Sequence, residues 1–113
     1  EDIKQMEALQ KLAQDHFVRG GQILEYGSKN RDLDAAKRAE DCFKEGLTKL
    51  KRMKLSSQNR RNIQLLRSAL ECAIKSTKAL QKGQYDKAGK LMYKASDYGY
   101  RYAAAVIARV KGK

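Results

Sequence analysis

Histidine and cysteine are the side chains best suited to nucleophilic, acid–base or metal chemistry, and this chain holds 1 His and 2 Cys in 113 residues. A nucleophile needs a base beside it, and that base needs a third group to orient it. His16 stands between Asp15 and Phe17 on a helical pattern with no such partner nearby in sequence, and reads as a surface or boundary histidine. Zinc takes several Cys or His at short spacings, and positions 16, 42 and 72 do not supply them. Cys42 and Cys72 fall on apolar helical faces and read as reduced, buried thiols of an intracellular protein, cytoplasmic or nuclear. Gly20-Gly21 lies inside a helical pattern and not after a strand, so it is no phosphate-cradling loop. The expectation is a chain that is not an enzyme, with no cofactor and no metal.

Charge carries more information. Residues 1–45 hold 8 Lys or Arg against 10 Asp or Glu, whereas residues 46–113 hold 17 against 3, which leaves the whole at +12. A polarised excess of this sign favours acidic partners, whether protein segments, nucleic acid or an anionic surface. The cations follow helical spacing. Lys87, Lys90, Lys94 and Arg101, with Asp97 among them, form one rail, and Arg60, Arg67, Lys75, Lys78 and Lys82 form another, interrupted by Glu71. Tyr93 and Tyr100, seven residues apart, share a face beside Lys90, Lys94 and Arg101, where they read either as exposed anchors or as rings packed on a neighbouring helix. These eleven residues are the candidate binding residues.

The elements that position them are helices. The chain has no Pro, few aromatics and much Ala, Leu, Lys, Gln and Arg, all of which lose little rotamer freedom in a helix. An all-α fold follows, in one domain over 1–113: four antiparallel helices as two helical hairpins, about 2–54 and 58–110. Helix one is expected over about 2–27 with Met6, Leu9, Ala13, Phe17, Gly21 and Leu24 inward; Gly20-Gly21 implies close helix approach or a break. Tyr26 to Arg31 is turn-forming, with Asn30 or Asp32 as cap. Helix two is expected over about 33–54, with Ala36, Ala39, Phe43, Leu47, Leu50 and Met53 inward. Ser56 or Ser57 is the expected cap of helix three, about 58–81, which turns in Leu66, Leu70, Ala73, Thr77 and Leu80. Lys82-Gly83-Gln84 is the sharpest turn, with Gly83 at the position that favours positive φ. Beyond it, Tyr85, Ala88, Leu91, Ala95, Tyr98 and Tyr102 form the inward stripe of helix four.

The run Gly83-x-Tyr85-x-x-Ala88-x-x-x-Met92-x-x-Ala95 resembles the second half of a tetratricopeptide (TPR) repeat. Read as Tyr85-x-x-Ala88-x-x-Leu91-x-x-x-Ala95-x-x-Tyr98, the same residues resemble the helical hairpin of MIT domains, and spacing alone does not separate the two. Ala39-x-x-x-Phe43-x-x-Gly46-Leu47 is TPR-like as well, although the six-residue turn expected after helix one is longer than a repeat allows. The second hairpin is also similar to HEPN domains, many of them ribonucleases with an Arg followed closely by His. Arg101 is followed by Tyr102-Ala103-Ala104-Ala105, so that likeness carries fold and not catalysis.

The resemblance implies scaffold or adaptor duty: a protein-interaction module that offers a groove to a short acidic or amphipathic segment of a partner protein. The alternative is an RNA- or DNA-binding helical domain that uses the two basic rails. No apolar run is long enough to span a membrane. The start, Glu1-Asp2-Ile3-Lys4, is not a signal sequence, and without an initiating Met the chain reads as a piece of a longer protein.

Overall fold

Leu66, Leu70, Ala73, Thr77 and Leu80, spaced by three and four residues, are all buried, and the helix that carries them is the centre of the architecture. The computed structural model describes residues 2–54 and 57–111, and every element in it is helical. The order is α1 (Asp2–Leu12), a π-helical turn (Ala13–Val18), α2 (Arg19–Asn30), α3 (Leu33–Arg52), a 3-10 turn (Ser57–Asn59), α4 (Arg60–Gln81) and α5 (Tyr85–Lys111). Backbone angles stay helical at Leu12 and Arg19, so α1, the π turn and α2 form one first rod. Four antiparallel rods result, packed into a body of 45 × 22 × 18 Å. The first rod lies on α3, α3 on α4, and α4 on α5.

The ends follow from local chemistry. Arg31 takes a left-handed φ of 50°, and Asp32 caps α3 by accepting a bond from the Ala35 N–H at 3.1 Å. Asn30 stays in α2, where its side chain donates to the Tyr26 carbonyl at 2.9 Å, so Asp32 is the cap and the expected six-residue turn shrinks to Arg31 and Asp32. Ser57, one of the two serines expected to cap the third helix, does not stand at its cap. Ser57 opens the 3-10 turn and Asn59 precedes α4 without a side-chain cap bond, while Ser56 lies outside the described residues. Gly83 adopts φ 76° and closes α4 with its N–H on the Leu80 carbonyl at 3.0 Å, a turn for which a Cβ is penalised.

Small residues set how closely the rods approach. Ala73, Ala88 and Ala95 are buried where α4 meets α5, and Ser76 Oγ donates to the Ala88 carbonyl at 2.7 Å. The helix runs unbroken through Gly20-Gly21. A Cβ on Gly20 would lie 2.6 Å from Phe43 Cε1, so close approach to α3 is the reason for that glycine. Glu40, buried between α3 and α4, accepts from Gln81 Nε2 at 2.8 Å and pairs with Lys44. Burial pushes its carboxyl up, but the bonds from Lys44 and Gln81 and the charges of Lys44 and Lys37 outweigh that and hold it below its ordinary value.

A candidate interaction surface

α5 is amphipathic on more than one side. At 100° per residue, Ala88, Ala95, Tyr102 and Val106 fall on the arc that faces α4, and all are buried. Lys87, Lys90, Lys94 and Arg101 fall within about 60° of one another on a flank centred about 115° from that arc, and all are exposed. Between that flank and the first rod stand Tyr93 and Tyr100, 79% and 77% exposed, followed at the next seven-residue step by Ile107 at 54%. The two tyrosines are therefore exposed and not rings packed on a neighbouring helix. Tyr85 corrects the expected inward stripe. It is 59% exposed, because at the first position of α5 it lies on the first-rod side of the helix, where the rods stand apart.

The second rail is exposed as well. Arg60, Arg67, Lys75, Lys78 and Lys82 lie on the outer face of α4. Because α4 and α5 are antiparallel about Gly83, Lys78 and Lys82 share one end of the bundle with Lys87 and Lys90. Arg60 and Arg67 share the other end with Arg101. Arg67 pairs with Glu71 at 3.5 Å and Arg101 with Asp97 at 3.1 Å, and the Arg101 guanidinium also lies 6.0 Å from the Tyr98 ring centre. Among the described residues, Lys75, Lys78, Lys82, Lys87, Lys90 and Lys94 form no ion pair, so their charge faces solvent uncompensated.

The seam between the first rod and α5 was not anticipated, and it stays open. Two cavities lie along it. One, of about 470 Å³, sits between α2 and α5 over Ser76 and Leu80 of α4, with Leu24, Met92 and Tyr85 on its walls. The other, of about 390 Å³, is walled by Phe17, Val18, Tyr100 and Tyr102. Between them Phe17 presses on Gly99, where a Cβ would lie 2.6 Å from its ring. The signal was in the sequence. Tyr93, Tyr100 and Ile107 recur every seven residues, and the small residues Gly89, Ser96 and Ala103 keep the same period on the adjoining arc.

His16 corrects another expectation, since it is 7% exposed and has partners from α3. Lys49 Nζ lies 3.1 Å from Nε2; an ammonium only donates, so Nε2 accepts and the ring proton sits on Nδ1, which donates to the Cys42 carbonyl at 3.1 Å. Both ring nitrogens are thereby engaged. The Cys42 thiol instead donates to the backbone carbonyls of Asp15 and His16 at 3.5 Å. Burial pushes that thiol above its ordinary pKa, the opposite of what an activated nucleophile needs. Cys42 and Cys72 are free and half-buried. Among the described residues no group of three or more His, Cys, Asp or Glu is placed to hold a metal, and no helix is long and apolar enough to cross a membrane. Compared with protein-family models, curated proteins and solved structures, the chain matches none of them.

Proposed function

We propose that this chain is a non-enzymatic interaction module of scaffold or adaptor type, which binds a short acidic or amphipathic segment of a partner protein. The observation that carries the reading is the open seam between the first rod and α5, with Tyr93 and Tyr100 exposed at its lip. Large aromatic side chains held rigid on a helix make binding hot spots, because they bring much contact area at little entropic cost. The six uncompensated lysines of α4 and α5 give that side of the bundle a positive field, which attracts an acidic segment during encounter. TPR and MIT likeness supports the same duty by analogy.

The second reading, a nucleic-acid-binding domain, draws on those same lysines, three on the outer side of α4 and three on the flank of α5, none of which lines either cavity. One experiment separates the two. The chain and its Tyr93→Ala/Tyr100→Ala variant are immobilised and challenged with lysate, with and without nuclease, over stepped salt. Protein partners that survive nuclease and are lost from the double variant are the expected result. Partners that vanish with nuclease, survive the double variant and are lost from Lys90→Glu/Lys94→Glu/Arg101→Glu would replace the first reading by the second. Purified duplex DNA would then show affinity falling with salt at a slope of about −0.9 per phosphate neutralised.

A further inference from the structure

Lys75, Lys78 and Lys82 of α4 follow one another at steps of three and four residues, and so do Lys87, Lys90 and Lys94 of α5. All six are exposed, and among the described residues none forms an ion pair. On α4 the row points about 150° away from Ser76 and Leu80, which floor the first cavity. On α5 it points about 160° away from Tyr85, Gly89, Met92 and Ser96, which wall that cavity. Both rows therefore lie on one face of the α4–α5 hairpin, the face turned away from the first rod and its seam.

The strip between the rows is apolar. On α4, Leu65 and Cys72 fall between the lysines and the arc of Ser76, which bonds to α5. On α5, Leu91 and Tyr98 fall between the lysines and the buried arc of Ala88 and Ala95. All four are half-buried. Because the helices are antiparallel about Gly83, Cys72 stands near the level of Lys94 and Leu91 near that of Lys75, while Leu65 and Tyr98 continue the strip toward Arg67 and Arg101. At that far end the cations are already matched, Arg67 by Glu71 and Arg101 by Asp97. The uncompensated charge is thus confined to about 10 Å of each helix, two turns long, on both sides of the strip.

We propose that this face docks an acidic amphipathic helix of a partner protein, with its apolar stripe on the strip and its carboxylates on the two lysine rows. A helix repeats the flanks of its apolar stripe at the same three- and four-residue steps as the rows, so Glu or Asp on either flank can meet lysines turn by turn. Nucleic acid fits less well. A phosphate backbone has no apolar stripe to cover Leu91 and Cys72, and Glu71 and Asp97 would repel it at the far end. A second copy of the chain would bring +12 against these lysines. The face is separate from the seam, so the inference goes beyond the reading above and gives a scaffold two docking surfaces back to back.

The probe is a synthetic helical peptide of about 20 residues with leucines on one stripe and Glu on both flanks, long enough to populate a helix. Its control has the same composition with the leucines spread around the helix. Fluorescence anisotropy measures both against the chain and three variants: Lys75→Glu/Lys94→Glu, which reverses one charge in each row, Leu91→Gln in the strip, and Tyr93→Ala/Tyr100→Ala at the seam. Thermal unfolding checks that each variant is folded; the lysine positions are exposed, so the charge reversal decides even if Leu91→Gln unfolds. The striped peptide is expected to bind at least tenfold tighter than its control and to lose at least tenfold in the first two variants. The tyrosine variant is expected to bind it unchanged. Equal affinity for the two peptides, or no binding by either, overturns the proposal and leaves the seam untouched. Loss in the tyrosine variant alone overturns it in favour of the seam. Duplex DNA or phosphatidylserine vesicles held by the lysines, when the striped peptide is not, would overturn it in favour of another polyanion.

Discussion

The first rod packs on two sides, and the two seams are built from similar residues to different ends. Against α3 the glycines are filled: Gly20 receives the Phe43 ring, and Gly46 receives His16, whose Cβ would lie 2.4 Å from an added methyl. Phe17 and Phe43 bridge the seam with ring centres 6.3 Å apart, in a tilted arrangement favoured by aromatic pairs. Against α5 only Gly99 is filled in this way, by Phe17, while Gly21 and Gly89 face a cavity. One seam is closed by packing and the other stays open. A glycine whose missing side chain is occupied by a neighbour is explained by the fold, and one that faces open space is not.

The largest effect is expected in the closed seam. Phe43 is fully buried, and Phe43→Ala should destabilise by about 3–5 kcal/mol through lost transfer energy and the cavity left behind. Gly46→Ala should cost about 1–3 kcal/mol, because the new methyl drives His16 off its bonds to Cys42 and Lys49. Urea unfolding checks both. A cost below about 1 kcal/mol at Phe43 would mean that this seam is as loose as the other, and the contrast would fail.

Tyr102 gives a smaller effect at the edge of the open seam. It is 3% exposed and its hydroxyl has no hydrogen-bond partner among the described residues. An orphaned buried hydroxyl opposes folding, so Tyr102→Phe should stabilise by about 1 kcal/mol. Burial also raises the phenol to about 12, above the ordinary value of about 10 that applies to the unfolded chain. The folded form thus holds its proton longer than the unfolded form does. Stability from this group is present in full below pH 10 and is lost as pH rises toward about 12. The difference in stability between the parent and Tyr102→Phe, followed through that window, isolates the phenol from the lysines. A difference that stays flat would place the hydroxyl in contact with water.

Much of this was legible from periodicity. The inward stripe of α4 is buried at all five expected positions, Asp32 caps α3, and Gly83 turns the chain with the expected φ. Each is decided within a few residues, by spacing or by one backbone angle. The misses depend on what a distant rod supplies. Tyr85 shares the stripe of Ala88 and Ala95 by number alone, and whether it is buried depends on whether the first rod closes over it, which it does not. His16 lacks partners in sequence because Cys42 and Lys49 reach it from α3. The π turn that carries it left no recognised mark in the sequence. All eleven candidate binding residues are exposed, since charged and aromatic residues off the apolar stripe have nowhere else to go. The seam beside them was hidden, because a cavity is a property of two elements and periodicity reports on one.

The smallest effect has the opposite sign and tests the comparison most directly. Gly89 lies in the interior of α5, exposed and without a neighbour for a new methyl. Gly89→Ala should therefore raise stability by about 0.8 kcal/mol, the full difference in helix propensity, with no change in the denaturant slope. The same substitution at Gly20 gains the same propensity but drives a methyl into the Phe43 ring, and the net should be a loss. If Gly20→Ala also stabilised, the ring would be yielding freely, and tight packing would no longer distinguish the α3 seam from the α5 seam. If Gly89→Ala destabilised, that glycine would serve the fold, and the two seams would no longer differ in this respect.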